Sequence, residues 1–126
     1  MPVPPTHDLS DSRSERARAI AAAGGIDRAL EAGSLPRRID VTLSEAVVLG
    51  LLRQSVRTFL CVLGHGSTEI GEVLRVYERA GLLRTCGVRH EVEAAHAATA
   101  LRWVTGEKAA VVTSIGPGAL HALAGS

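Results

Sequence analysis

Aromatic side chains are almost missing from this chain: Phe59, Tyr77 and Trp103 account for 2% of its 126 residues. That scarcity excludes a stacking platform for nucleic-acid bases and calls for a core of small aliphatic residues. Charge of one sign is lacking too. A formal net charge of +1 gives no field that would draw nucleic acid, a membrane surface or an acidic partner. The apolar runs are far too short to cross a bilayer, and the start, Met1 to Pro5, lacks the basic-then-apolar order of a secretory signal. Cys61 and Cys86 have no CxxC spacing and read as buried thiols of a reducing cytoplasm, not as a disulfide framework. The expectation is a cytoplasmic protein with neither nucleic-acid nor membrane partners.

What is present is 46% hydrophobic residues, mainly Ala, Val and Leu, enough for one domain or part of one. Residues 1–12, rich in Pro, Ser and Asp, read as a disordered tail. Ser14 to Ala23 and Ile26 to Ala32 read as two short helices broken by Gly24 and Gly25. Residues 1–40 are thus expected to be a tail with peripheral helices, and residues 41–126 the organised part.

From Val41 onward the pattern alternates. Thr42 or Ser44 can cap a helix reaching about Gln54. The uncharged run Thr58 to Leu63 predicts a buried parallel strand ending at Gly64-His65-Gly66. Ser67 can cap a helix with Ile70, Val73, Leu74 and Tyr77 at helical spacing. Leu82 to Val88 is a second strand, and Glu91 to about Val104 a helix with Val92, Ala95, Ala98 and Leu101 on one side. Lys108 to Ser114 is a third strand, with a last helix after it. Strands joined by helical crossovers predict an α/β fold with a parallel sheet and flanking helices. Function belongs at the carboxyl ends of the strands, so Gly64-His65-Gly66-Ser67, Arg89-His90-Glu91 and Ser114 to Gly118 are predicted to share one edge. The chain reaches Ser126 inside the last helix with the sheet edges unpaired, which is the pattern of an incomplete domain.

Several residues could carry chemistry. Glu91 opens a helix after a strand, where partial desolvation of a carboxylate is opposed by the attraction of the helix amino end for negative charge. By residue type alone such a glutamate is more often a helix-opening surface acid than a catalytic one. Gly116-Pro117-Gly118 allows close backbone approach, with Pro117 at a helix start, and is equally an ordinary turn. The segment His90 to His96 lacks the i, i+4 histidine spacing of a helical metal site, so no metal is assigned. Gly64-x-Gly66 after a strand keeps a dinucleotide-binding (NAD(P), Rossmann-type) reading open, although Glu69 stands where its third glycine belongs.

The stretch Arg89-His90-Glu91-Val92-Glu93-Ala94-Ala95-His96-Ala97-Ala98, then Thr105-Gly106, then Thr113-Ser114-Ile115-Gly116-Pro117-Gly118-Ala119, closely resembles the pyrimidine-binding domain of thiamine diphosphate enzymes of the acetolactate synthase group. Those enzymes carry an RHE element, an AAHAA helix, a TG turn and a TSGPGA-like loop in this order. The resemblance covers about Val41 to Ser126. The GHG turn and the extra residue before Gly-Pro-Gly are nearer to trihydroxycyclohexanedione hydrolases. The chain departs from the pattern where Val92 and Glu93 replace a common Gln-Gly pair and where His121 replaces an Asn.

The resemblance implies that Glu91 is the glutamate that hydrogen-bonds the aminopyrimidine ring and promotes its imino form, which takes the thiazolium C2 proton. It implies that Gly116, Pro117, Gly118 and His121 lie beside the cofactor; His65, in the turn after the first strand, is a candidate substrate contact, though a turn histidine is more often simply exposed to solvent. The thiamine diphosphate would be held with Mg2+ by a diphosphate-binding domain, whose GDG motif does not occur in this chain. That domain would come from a missing carboxyl-terminal region or from a separate subunit, in a homo-oligomeric enzyme acting on 2-oxo acids or diketones. On this reading the chain alone is inactive, and a non-catalytic interaction subunit is the further alternative.

Overall fold

The structure, a computed structural model, describes residues 6–125. Ten elements follow in chain order: α1 (Thr6–Ala23), α2 (Ile26–Glu31), α3 (Leu43–Arg53), β1 (Thr58–Cys61), a 3-10 turn (His65–Ser67), α4 (Thr68–Arg79), β2 (Arg84–Gly87), α5 (Glu91–Thr105), β3 (Ala109–Val112) and α6 (Pro117–Leu123). The strands form one parallel sheet in the order β2-β1-β3. Thr58 lies opposite Arg84 on one side and Ala109 on the other, and Cys61 lies opposite Gly87 and Val112. The parallel sheet with flanking helices is the predicted α/β arrangement; β1 starts at Thr58 as expected and ends two residues early, while β2 and β3 are shorter at both ends than the runs that announced them.

Each strand becomes what its neighbours allow. β1, uncharged and central, is buried at all four positions. β2 is a mostly exposed edge, which is how it tolerates a charge: Arg84 lies at the sheet margin, donates to Thr58 Oγ1 at 2.9 Å and pairs with Glu107 at 2.7 Å. Side chains alternate across a strand, so Phe59 and Cys61 face one layer and Thr58 and Leu60 the other. The first layer, under α1, α3 and α4, holds the main core: Ala17, Ile20, Val48, Phe59, Val73, Leu74 and Tyr77 are all nearly or fully buried. Burying side chains of the size of Phe59 or Leu74 contributes about 1.5–3 kcal/mol each. The second layer is α5, whose Ala94 and Ala95 are buried, with α6 beside it.

Four expectations are corrected. Helix α1 begins at Thr6, so residues 6–12 are helical, while the remaining tail positions 1–5 lie outside the described residues. The arm also does more than cover the periphery: Ala17, Ile20, Ala29 and Leu35 belong to the same buried cluster as Phe59. The reason is a long-range ion cluster. Glu45, fully buried on α3, receives Arg16 at 2.8 and 3.0 Å, Arg13 at 3.3 Å and the Tyr77 hydroxyl at 2.9 Å. Thr42 caps α3 by accepting the Glu45 amide at 3.3 Å, and also accepts from Arg13. Cys86, expected to be buried, is exposed on edge strand β2, and both cysteines are free. Ser67 does not cap α4; its hydroxyl accepts the Gly64 amide at 3.0 Å and donates back to the Gly64 carbonyl at 3.2 Å.

Burial governs the ionisable groups of the first layer. It pushes the Cys61 thiol up to about 11, helped by Cys86 and Glu78. It pushes the Tyr77 hydroxyl well above its ordinary value, with the Glu45 carboxylate adding to the effect. For Arg16 burial acts downward, but the contacts with Glu45 outweigh it and the guanidinium is raised.

Candidate functional site

The three segments at the carboxyl ends of the strands do share one edge. Gly64, after β1, lies so close to the β3–α6 loop that a Cβ there would stand 2.5 Å from Ser114 Oγ, and a Cβ on Gly66 would overlap Ile115. The glycines of this turn are therefore needed for packing between two loops. Ser114 and Ile115 fill the space in which a dinucleotide pyrophosphate would approach the backbone.

Glu91 is the first residue of α5, introduced by His90 in extended conformation, φ −146° and ψ 144°. His90 serves as the cap: its Nδ1 accepts the Val92 amide at 3.2 Å. Histidine is not among the preferred capping residues, which is why the sequence did not announce this role. The Glu91 side chain is only 12% exposed, and the amino end of α5 supplies favourable dipoles for its charge. Gly118, in the first turn of α6, gives it room; a Cβ there would come 2.8 Å from Glu91 Oε1.

The loop before α6 is shaped for this approach. Gly116 takes φ 66° and ψ −128°, a conformation that side-chain-bearing residues rarely adopt, and Pro117 starts the helix where no amide donor is needed. α6 then packs on α5 closely enough that a Cβ on Gly125 would stand 2.7 Å from the Val92 carbonyl. This contact brings His121 to the site. Its Nδ1 lies 3.6 Å from Glu91 Oε2, and its ring stacks on His90 with centroids 5.3 Å apart and planes 16° from parallel.

Of the residues singled out in the sequence, the structure brings Gly118 and His121 to the Glu91 carboxylate, with Gly116 and Pro117 in the turn that leads into α6. His65 is exposed on the turn after β1, on the same edge but apart from the His90–Glu91–His121 group. Sequence reasoning missed that histidine pair and the contact of Ser114 with the GHG turn. Both depend on the docking of α6 against α5, which no local spacing encodes.

A carboxylate largely withdrawn from water at a helix amino end, with Gly118 on one side and His121 on the other, is able to accept an N–H donor. The comparison with protein families identifies the domain. Residues 41–125, more than half of the chain, match the family described as thiamine pyrophosphate enzyme, N-terminal TPP binding domain. The chain belongs to that family. It binds thiamine diphosphate as the pyrimidine half of a thiamine diphosphate-dependent enzyme, and the dinucleotide reading is left without support. No curated protein matches the chain closely enough to count as a relative. The matched stretch leaves out the arm formed by α1 and α2.

The residues present fit the pyrimidine end of the cofactor: an almost buried carboxylate beside a glycine cradle that a Cβ would fill. Among the described residues no helix is long and apolar enough to cross a membrane.

Proposed function

We propose that Glu91 is the carboxylate that activates the cofactor. Thiamine diphosphate, once bound, supplies a carbon acid that adds to a carbonyl and stores the resulting electron pair. The part of this chain is to hold the pyrimidine and handle one proton. Glu91 accepts a hydrogen bond from the ring nitrogen and fixes the charge there. Gly118 leaves the carboxylate unobstructed, Gly116 and Pro117 set the loop against the ring face, and His121 lies at the carboxylate's second oxygen. His65, exposed on the same edge, is the substrate contact in this reading. The observation that carries this reading is the low exposure of Glu91 against Gly118.

The rest of the active site belongs to a diphosphate-binding domain, which would hold Mg2+. Ile115, Leu120 and Leu123, each about two-thirds exposed around the site, support such a partner, since apolar side chains grouped on a surface mark interaction sites. A homo-oligomeric cytoplasmic enzyme acting on 2-oxo acids or cyclic diketones, acetolactate synthase-like or hydrolase-like, fits the resemblance of the GHG turn and the Gly-Pro-Gly loop.

Titration of the 15N-labelled chain with thiamine diphosphate tests the site. The amides of Glu91, Val92, Gly116 and Gly118 are expected to shift while those of α1 and α3 stay in place. NAD(P) at the same concentrations should move none of them. Shifts confined to the α1–α3 layer would refute the assignment.

A further inference from the structure

The site contains something that proton relay does not require: two imidazoles beside one carboxylate. His90, Glu91 and His121 each present a ligand atom, and the three atoms lie within 4.8 Å of one another. They come from two helices locked by close packing, so the group is held from both sides. We propose that His90, Glu91 and His121 together bind a divalent first-row transition ion of the Zn2+ type, and that the bound ion occupies the Glu91 carboxylate in place of the cofactor.

The donor set selects the ion. Two imidazoles and a carboxylate suit borderline ions such as Zn2+, whereas Mg2+ prefers oxygen ligands with its own waters. Three protein ligands leave the fourth tetrahedral position to water, which the exposed His90 and His121 rings admit. A tetrahedral ion with bonds of about 2.0–2.1 Å needs donors about 3.4 Å apart, so the side chains must tilt inward. His121, 55% exposed in its side chain, has the freedom to do so.

The present hydrogen bond of His90 adds a signature. A neutral imidazole that accepts at Nδ1 carries its proton on Nε2. Coordination through Nδ1 displaces the Val92 amide; coordination through Nε2 moves the proton to Nδ1, which can then no longer accept. Either way the cap on α5 is released when the ion binds. The consequence for catalysis, inhibition by an ion that ties up the relay carboxylate, rests on the reading of Glu91 given above.

Calorimetric titration of the untagged 126-residue chain with zinc chloride, without cofactor, tests the site. One ion per chain is expected, with affinity reduced at least about tenfold in His121→Ala and in His90→Ala. His96→Ala, on an exposed turn of α5, should leave the affinity unchanged. His121→Asn provides a second, milder variant, and the Val92 amide resonance should move on zinc addition to the parent chain. Absence of zinc binding, or binding that survives both His121 variants, overturns the proposal. Because no cofactor is present, that failure is distinct from failure of the thiamine diphosphate titration.

Discussion

The two faces of the sheet are made to different standards. Under α1, α3 and α4 lie Phe59, Ile20, Leu74, Tyr77 and the Glu45 cluster, where the largest fully buried side chains are gathered. Under α5 and α6 the buried apolar residues are small or few, Ala94, Ala95 and Leu60 among them, while Trp103, Val104, Leu120 and Leu123 stand well exposed. The first face carries the stability of the fold. The second trades bulk for access: small residues let α6 approach α5 until loop, glycine and carboxylate meet. Two glutamates express the contrast. Glu45 is fully buried and satisfied by two arginines and a tyrosine, and Glu91 is nearly buried but faces His121 and Gly118.

The comparison breaks most visibly at Glu45. Replacing it with Ala leaves Arg13, Arg16 and Tyr77 without their shared partner, and loss of about 3–5 kcal/mol of stability is expected, measured by urea unfolding. A loss below about 1 kcal/mol would mean that the arm is not anchored there. Tyr77→Phe removes one hydrogen bond to a charged group and should cost about 1.5–3 kcal/mol in the same assay. By contrast, Glu91→Gln should change stability by less than about 0.5 kcal/mol, because its role lies outside the fold's core.

The alkaline limb gives a smaller test of the first face. The Cys61 thiol has its value raised from 9.0 to about 11. Between those values the unfolded chain releases the proton and the folded chain keeps it, so the contribution is complete below pH 9.0 and is lost as pH rises toward about 11. Cys61→Ala should flatten that part of the stability profile. In the folded protein a thiol reagent should label exposed Cys86 and spare Cys61.

The same division explains what could be read from the sequence. β1 was legible because Thr58 to Leu63 has no charge, and α4 because Val73, Leu74 and Tyr77 repeat at helical spacing. The amino-terminal extent of α1 was not, since its docking is fixed by Arg13 and Arg16 on Glu45, a pairing across the chain that leaves no apolar period. α5 was recognised, but its buried face centres on Ala94 and Ala95, with Val92, Ala98 and Leu101 only half-buried. At the site, Glu91 and Gly116-Pro117-Gly118 were legible through their order in the chain. The stacking of His90 on His121 was not, because it exists only after α6 has docked.

The central claim, that Glu91 activates the cofactor, is tested most directly by hydrogen–deuterium exchange at C2 of thiamine diphosphate bound to the chain assembled with its diphosphate-binding half. Glu91→Gln should slow that exchange by about two to four orders of magnitude while cofactor affinity stays within about tenfold. Exchange at the parent rate in the Gln variant would contradict the assignment.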